Sequence, residues 1–410
     1  MVAFHFPPMR GSSGVQRTLR FAQHLPSFGW KPVVLTISSL AYESRGLSEG
    51  NEIPLDLEVH RAFGLDAARH FSLQGRYPRA LALPDRWANW RFFAVRRAMK
   101  IIRTRGVSVV WSTFPIATAH RIGWEIATLA KLPWIAEFRD PMWQGEYPFD
   151  PKMNALWKRI EMRVFDRADR VVVTAPSTLD EYAERFPHFS RDRIALIHNG
   201  YDEETFQRAE AAIRLPTRPR PIMLLHSGTV YRSERDPTAL FAAIARLKHS
   251  RELRAEEFQL VLRAATNERI FARDVASLGI DDMVKFQPPI DYLVALKEML
   301  TSDGLLLLQA ANCNAQIPGK LYEYLRAKRP IVALTDPNGD TARTLRDIGT
   351  GIIARLDSPE EIADALRRFV ALVRSGVWTA PPKEILIGFS RREQAAQLAR
   401  LLDAVTNDKE

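Results

Sequence analysis

Short runs of apolar and β-branched residues recur along the chain, and amphipathic segments separate most of them. The runs are apolar throughout, which is typical of parallel strands covered on both faces. They lie at residues 1–6, 32–37, 107–113, 134–138, 170–175 and 194–199, and then at 222–227, 258–264, 284–287, 304–309, 331–335 and 351–355. Between them the pattern predicts helices at residues 15–28, 87–104, 117–131, 153–168, 237–248, 268–278, 320–327 and 359–372. This alternation predicts an α/β protein with two doubly wound domains facing each other across a cleft.

A change of pattern near the middle of the chain marks a domain boundary. Residues 198–202 have the turn-forming sequence HNGYD, and the charged segment that follows contains Pro216, Pro219 and Pro221. Such a segment is typical of an extended linker. We therefore predict an N-terminal domain at residues 1–205, a linker at 206–221 and a C-terminal domain at 222–385. An amphipathic helix within residues 386–410 either completes the second domain or crosses back onto the first.

Composition narrows the class of protein. The chain has 410 residues, of which 46% are hydrophobic and 26% charged, as in a soluble globular protein. It has no apolar run long enough for a transmembrane helix, and it opens in a predicted strand rather than a signal peptide. Cys313 is its single cysteine, which excludes intrachain disulfides and cysteine-built metal sites. We expect a cytoplasmic protein.

The formal net charge of +10 is concentrated in one segment. Residues 76–105 contain nine basic residues against one acid, Asp85, and include the aromatic residues Trp87, Trp90, Phe92 and Phe93. A basic, aromatic helix at residues 86–105 predicts peripheral contact with an anionic membrane. The inner face of the plasma membrane is the expected site of that contact. The alternative is a helix packed on its own domain. No nucleic-acid-binding motif accompanies the charge, and we expect no nucleic-acid partner.

The first predicted strand is followed by a glycine-containing loop. Gly11 and Gly14 permit a tight turn and close backbone approach, and Arg17 falls in the first turn of the next helix. The loop therefore predicts a phosphate or acceptor site, although its spacing matches neither the dinucleotide fingerprint nor the Walker A loop. The alternative is a simple turn.

An acid–base–acid cluster follows the strand at residues 134–138. Glu137 and Asp140 are candidates for contacting an acceptor, with Arg139 between them. A structural ion pair among these side chains is the alternative.

In the second predicted domain, the first strand ends in another glycine-containing loop. Gly228 and Thr229 would hold a phosphate by backbone contacts, and Arg232 or Arg235 would neutralise its charge.

A short helix at residues 320–327 supplies the remaining candidates. Gly319 precedes Lys320, and Glu323 lies three residues later on the same helical face. The free N–H groups and positive dipole of a helix N-terminus favour phosphate, Lys320 adds a charge for a diphosphate, and Glu323 would accept hydrogen bonds from sugar or ribose hydroxyls. The alternative is a capped helix with a surface lysine and glutamate.

Several signatures are missing from the sequence. It contains no Asp-x-Asp pair, H-E-x-x-H, Walker A or G-x-S-x-G motif. Its nine histidines do not cluster at ligand spacing, and His120 and His226 are interpreted as core or cleft residues. We expect neither a metal nor a cofactor.

Taken in order, these motifs resemble the family-4 (group 1) glycosyltransferases of the GT-B fold. The resemblance rests on the segments 6–17, 29–36, 137–141, 198–202, 227–231, 318–325 and 389–392. It implies two Rossmann-like domains, the second holding a nucleotide sugar, most often a UDP- or GDP-sugar. It implies transfer of the sugar to a glycan or lipid-linked acceptor with retained anomeric configuration and no obligatory metal, often in synthesis of bacterial surface polysaccharide, lipopolysaccharide or glycolipid.

The resemblance also implies residue roles. Glu323 matches the acid expected on the ribose, Lys320 and Arg235 match basic positions near the diphosphate, and Gly14 and Arg17 match the loop that approaches the donor phosphate and the acceptor. Arg139, Asp140 and Lys320 are the implied catalytic residues.

The sequence departs from the family pattern at three positions. Ala315 stands where the family has its first acid, Thr229 where an arginine is usual, and Arg139 where a histidine is common. Two other interpretations stay open: a nucleotide-sugar 2-epimerase, and a non-catalytic scaffold of the same fold at a membrane.

Overall fold

The computed structural model describes residues 1–9, 13–46, 53–74, 76–213, 221–266 and 268–407. The chain divides into two compact units, here called unit 1 (Met1–His198 with Arg391–Glu410) and unit 2 (Asn199–Ser390). Each unit contains a sheet of parallel strands flanked by helices. The predicted α/β class with two sheet domains is confirmed.

The sheet of unit 1 is held together by the first residues of the chain. Its strands are β1 Val33–Ile37, β2 Glu58–Ala62, β3 Val110–Thr113, β4 Trp134–Phe138, β5 Arg170–Val173 and β6 Ile194–Leu196. Val2 bridges Leu35 of β1 and Ser112 of β3, so it joins the pair β1–β2 to the series β3-β4-β5-β6. The predicted strand at residues 1–6 is thus reduced to two bridges at one residue, Val2.

Strand β2 was not predicted because it does not have an apolar run. Of its residues, only Ala62 is buried, and the sequence EVHRA gives a polar edge strand. It pairs in parallel with β1 along its whole length.

The helices of unit 1 cover both faces of this sheet. They are α1 Ser13–His24, α2 Ala67–His70, α3 Trp90–Arg105, α4 Ala117–Ala130, α5 Pro151–Arg167 and α6 Pro176–Arg185, together with the C-terminal helix Arg391–Asn407. The apolar side of the C-terminal helix, with Leu398 and Leu402, packs against Phe21 and Trp111. None of the described helices of the chain is long and apolar enough to cross a bilayer.

Unit 2 has a doubly wound sheet with a clear switch point. Its strands are β7 Ile222–Ser227, β8 Phe258–Arg263, β9 Val284–Gln287, β10 Gly304–Leu308, β11 Ile331–Leu334 and β12 Ile352–Ala354. They are arranged in the order β12-β11-β10-β7-β8-β9, all parallel. The winding reverses between β7 and β10, and ligands of such sheets bind outside the carboxyl ends of the strands at that point.

The helices of unit 2 complete the layers. They are α7 Glu203–Ala211, α8 Thr238–His249, α9 Glu268–Ser277, α10 Tyr292–Thr301, α11 Gly319–Ala327, α12 Asp340–Ile348, α13 Pro359–Ser375 and α14 Lys383–Gly388. Helix α13 illustrates how the local sequence starts a helix. Pro359 occupies its first turn, and the Ser358 side chain accepts a hydrogen bond from the backbone N–H of Glu361.

The boundary between the units differs from the predicted one. Tyr201 belongs to unit 2, since its backbone N–H donates to the Phe389 carbonyl at 3.1 Å and its hydroxyl donates to the Leu386 carbonyl at 2.9 Å. Part of the predicted linker is helix α7, which Arg326 of α11 holds through ion pairs with Glu203 and Glu210, both at 2.7 Å. The rest of the predicted linker, residues 214–220, lies outside the described residues.

Candidate functional site

The switch point of unit 2 brings a glycine and a lysine into close approach. Strand β7 ends at Ser227, and Gly228 follows with φ +133°, a conformation that side chains disfavour. A Cβ atom added at Gly228 would lie 2.6 Å from Nζ of Lys320. Glycine at this position therefore provides both the turn and the space for the lysine.

His226 orients the same ammonium group. Its Nδ1 lies 2.9 Å from the carbonyl oxygen of Leu306 on β10, and its Nε2 lies 3.3 Å from Nζ of Lys320. Because the carbonyl only accepts, Nδ1 carries the proton and Nε2 is left to accept a hydrogen bond from Lys320. Burial, with the positive charge of Lys320, holds the pKa of His226 well below its ordinary value, so the ring is neutral.

The electrostatics of Lys320 follow from the same surroundings. Loss of solvation, and then the charge of Arg235, lower its pKa from 10.5 to about 7, while Glu323 acts in the opposite direction. The site therefore holds an ammonium group that titrates near neutral pH.

Helix α11 places the other predicted residues beside this lysine. Pro318 precedes helix α11, and no side chain caps the N-terminus of the helix. The N–H groups of its first turn therefore have no side-chain acceptor. The hydroxyl of Tyr324 accepts a hydrogen bond from the Ser227 N–H at 3.1 Å, which ties α11 to β7. One turn into the helix, Glu323 accepts a hydrogen bond from the Tyr292 hydroxyl at 2.7 Å.

The two arginines predicted for this site have different partners. Nη1 of Arg235 donates to Oγ1 of Thr229 at 3.0 Å, so Arg235 stays with the glycine loop. Arg232 is exposed and binds Asp274 of α9 at 2.9 Å. The structure thus brings together six of the predicted donor residues: Gly228, Thr229, Arg235, Gly319, Lys320 and Glu323. The donor role of Arg232 stays a prediction, and in this structure its side chain pairs with Asp274 rather than with the glycine loop.

In unit 1, Arg17 and Glu137 form a buried ion pair. Nη2 of Arg17 lies 2.9 Å from Oε1 of Glu137, with 1% and 0% of the two side chains exposed. Arg17 also donates to the carbonyl oxygens of Ile197 at 2.9 Å and His198 at 2.6 Å. Glu137 accepts a further hydrogen bond from Thr113 at 2.8 Å. These contacts favour structural roles for both residues, while the donor role of Arg17 and the acceptor role of Glu137 stay predictions.

Arg139 and Asp140 lie at the carboxyl end of β4 and are partly exposed. Nη2 of Arg139 lies 2.8 Å from Nδ1 of His5, and its Nε donates to the Phe114 carbonyl at 2.8 Å. Burial, followed by the charge of Arg139, holds the pKa of His5 well below its ordinary value, so the neutral ring accepts from the guanidinium. Asp140 is close enough to favour the charged form of Arg139.

Gly14 makes room for this arginine. A Cβ atom added at Gly14 would lie 1.9 Å from Nη1 of Arg139. The glycine predicted to admit a phosphate thus admits a guanidinium. Gly11, its partner in the predicted loop, lies outside the described residues.

Two site residues were not found by sequence reasoning. His5 sits inside an apolar run, and its only signal was its place near the end of the first predicted strand. Tyr292 begins helix α10, which the apolar pattern did not predict. Among the residues that the structure describes, no group of three or more His, Cys, Asp or Glu side chains is arranged to hold a metal.

Comparison with known proteins relates the N-terminal part of the chain to a known domain family. Residues 13–200 match the family model of the glycosyl transferase 4-like domain. Residues 13–200 therefore contain a glycosyl transferase 4-like domain, and this match supports a family-4 glycosyltransferase. The matched region contains Gly14, Arg139 and Asp140, and the fold of the whole chain agrees with the assignment. Among curated proteins, no sequence matches this chain significantly.

Solved structures show the GT-B fold over nearly the whole chain. Sucrose-phosphate synthase from Thermosynechococcus elongatus aligns with a TM-score of 0.69 at 16% identity, covering 99% of each chain. WaaG, a glycosyltransferase involved in lipopolysaccharide biosynthesis, aligns with a TM-score of 0.60 at 14% identity, covering 98% of this chain and 95% of its own. The UDP-GlcNAc 2-epimerase from Methanocaldococcus jannaschii aligns with a TM-score of 0.56 at 10% identity, covering 98% of each chain. The predicted GT-B fold is confirmed, and fold alone does not separate transferases from epimerases.

Proposed function

We propose that this protein is a retaining glycosyltransferase that needs no metal. It transfers a hexosyl or N-acetylhexosaminyl unit from a UDP- or GDP-sugar to a hydroxyl of a glycan or lipid-linked acceptor, in synthesis of bacterial surface polysaccharide, lipopolysaccharide or glycolipid. The observation that carries the proposal is the position of the Lys320 ammonium, held between His226 and Gly228 at the switch point of unit 2.

Unit 2 has the charge that a departing nucleoside diphosphate requires. As the bond between the sugar and the diphosphate breaks, negative charge grows on the phosphate oxygens. Lys320, Arg235 and the first N–H groups of α11 stabilise that charge from fixed positions, which is the role a metal ion plays in other transferases. Glu323, whose orientation is fixed by Tyr292, accepts hydrogen bonds from the ribose hydroxyls.

Retention follows from attack on the face that the diphosphate leaves. The acceptor oxygen bonds to the anomeric carbon, the bond from that carbon to the diphosphate oxygen breaks, and the hydroxyl proton passes to the departing phosphate oxygen. No protein nucleophile is needed in this scheme. In unit 1, Asp140 orients the acceptor hydroxyl, and Arg139 fixes the local geometry through His5 and Phe114.

We place the reaction in the cytoplasm, peripheral on the inner face of the plasma membrane. Nucleotide sugars and lipid-linked acceptors are both accessible there. The excess of positive charge on the chain, +10, agrees with such a location, since inner-leaflet lipids are anionic.

Nucleotide release tests the proposal and separates it from the epimerase alternative. The protein is incubated with UDP- and GDP-sugars in EDTA, with and without a bacterial lipid or glycan extract. We expect release of one nucleoside diphosphate that depends on the extract, and an NMR spectrum of the product with the anomeric configuration of the donor. Conversion of the sugar to its 2-epimer without an acceptor would identify an epimerase. No turnover and no nucleotide binding would contradict an enzymatic role.

A further inference from the structure

Of the four aromatic residues that the sequence suggested for a membrane contact, only Phe92 and Phe93 are exposed. Trp90 is fully buried, the Trp87 ring packs on Phe4 with centroids 4.4 Å apart, and Arg91 binds Glu125 at 2.6 Å. The inner face of the helix continues through Ala94, Ala98 and Ile101. The Trp90 ring therefore has no access to a membrane, and Trp87 and Arg91 are turned toward partners within unit 1.

The outer face of the same helix carries different residues. Phe92 is 65% exposed and Phe93 is 48% exposed, both in the first turn. Toward the C-terminus the exposed positions include four basic residues, Arg96, Arg97, Lys100 and Arg103. Outside the helix, Phe63 is 48% exposed and meets the Phe93 ring edge to face at 4.9 Å. Large exposed rings beside unpaired charge are unusual on a surface that meets only water.

The charge of this face is not balanced locally. The groove along it is lined by Phe63, Phe93, Leu129 and a row of basic side chains, and no acidic residue is among its described lining residues. Two acids that contact helix α3 pair with other arginines of that helix, Glu125 with Arg91 and Glu58 with Arg105 at 3.1 Å. The surface therefore combines apolar rings with a field that attracts anions.

We propose that this surface docks on an anionic lipid bilayer. The rings of Phe63, Phe92 and Phe93 enter the interface between head groups and acyl chains, and Arg96, Arg97 and Lys100 bind the lipid phosphates. A bilayer satisfies both requirements at once, because its head groups carry the negative charge and its acyl region takes up the rings. An acidic protein partner would match the charge, but the exposed rings would then require a matching apolar pocket.

The position of the rings links this surface to the chemistry of unit 1. Phe63 directly follows β2, and Phe92 and Phe93 begin a helix that returns from the carboxyl edge of the sheet. Arg139 and Asp140 follow β4 at the same edge. A bilayer bound through the rings therefore lies beside the edge assigned to the acceptor. This last step rests on the proposed function, whereas the docking does not.

Vesicle sedimentation with the full chain tests the docking. Vesicles of phosphatidylcholine alone are compared with vesicles that also contain phosphatidylglycerol, at low and high salt. One variant combines Phe92→Ser with Phe93→Ser, and another combines Arg96→Gln, Arg97→Gln and Lys100→Gln. The control combines Arg159→Gln with Met162→Ser, an exposed basic and an exposed apolar residue on α5. Thermal unfolding is measured on every variant to show that the fold is intact, and nucleoside diphosphate binding is measured separately.

The expected result is binding of the wild-type chain to the anionic vesicles, weakened by salt. The triple variant should bind roughly 100-fold more weakly, at several-fold per basic residue, and the phenylalanine variant should also lose binding. The control should bind as the wild type does. No binding of the wild-type chain, equal binding to both vesicle types, or equal binding by all variants would overturn the proposal. Because nucleotide binding is measured separately, these results do not depend on whether the donor site works as proposed.

Discussion

Nε2 of His226 lies 3.3 Å from Nζ of Lys320, and this contact places a neutral acceptor where a lysine more often meets a carboxylate. His226 is fixed in turn by the Leu306 carbonyl at 2.9 Å, so the ring cannot turn away without losing that bond. Arg235 adds a second positive charge, which Glu323 only partly offsets. The site is positioned for a ligand that brings negative charge with it.

The first prediction concerns the pH dependence of nucleotide binding. The free site has a Lys320 pKa of about 7, and a bound diphosphate favours the charged form and raises that pKa. Below pH 7 the lysine is already charged and the affinity is flat. Above pH 7 binding must take up a proton, so the affinity should fall by up to about tenfold per pH unit until the pKa of the complex is reached. Calorimetric titrations of UDP and GDP in buffers of different ionisation enthalpy measure both the affinity and the proton uptake.

Lys320→Arg provides the matched control for this pH profile. Arginine stays charged across the range, so any binding that it retains should lose its dependence on pH and its proton uptake. A wild-type affinity that stays constant from pH 7 to pH 9 would contradict the assignment of the titrating group.

The second prediction concerns Gly14→Ala. The new Cβ would occupy the position of the Arg139 guanidinium, which must then leave His5 and the Phe114 carbonyl. We expect transfer to fall roughly 10- to 100-fold, as for the loss of a charge-assisted hydrogen bond, with nucleotide affinity unchanged. Gly388→Ala is the control, since a Cβ there meets nothing within 4 Å. Full transfer activity in Gly14→Ala would show that the position of the Arg139 guanidinium does not matter for the reaction.

The third prediction separates a structural arginine from a ligand-binding one. Arg17→Ala leaves the Glu137 carboxylate buried without its partner, which should cost about 3–5 kcal/mol of unfolding free energy. Thermal unfolding should show a Tm lower by roughly 10 °C. Adding Glu137→Gln removes the stranded charge and should restore part of the loss. An unchanged Tm combined with lost nucleotide affinity would return Arg17 to the donor site.

The fourth prediction assigns Glu323 to the ribose. The wild-type protein should bind the ribonucleoside diphosphate better than its 2′-deoxy analogue, and Glu323→Gln should reduce that preference. Tyr292→Phe keeps the carboxylate but removes the hydrogen bond at 2.7 Å, so it should weaken both ligands by about 1 kcal/mol and keep most of the preference. Equal preference in wild type and Glu323→Gln would place Glu323 elsewhere on the ligand.

The fold could be predicted because buried parallel strands such as β10, with the sequence GLLLL, leave an unmistakable apolar run. The polar strand β2 left none and was missed. Gly228, Lys320 and Glu323 could be predicted to meet because Gly228 directly follows a strand, and Lys320 and Glu323 lie in the first two turns of a helix at the same edge of the sheet. That placement is a consequence of topology.

The partners of arginines could not be predicted in the same way. Arg17 and Glu137 are 120 residues apart, and nothing in the local sequence shows that each is the other's partner. The contact between Arg232 and Asp274 on a neighbouring helix could not be predicted for the same reason. His5 could not be predicted because a single histidine in an apolar run forms no recognisable motif. Its contact is with Arg139, which follows a different strand.

The central claim is that Lys320 is the main charged group of a metal-independent diphosphate site. Calorimetric titration of UDP and GDP in EDTA, with wild type, Lys320→Ala and Lys383→Ala, tests it most directly. Lys383 is exposed at the start of α14 and serves as the matched control. The account predicts that one diphosphate binds wild type and Lys383→Ala equally, and binds Lys320→Ala roughly 10- to 150-fold more weakly. Binding that requires a divalent metal, or that is equal in all three proteins, would contradict it.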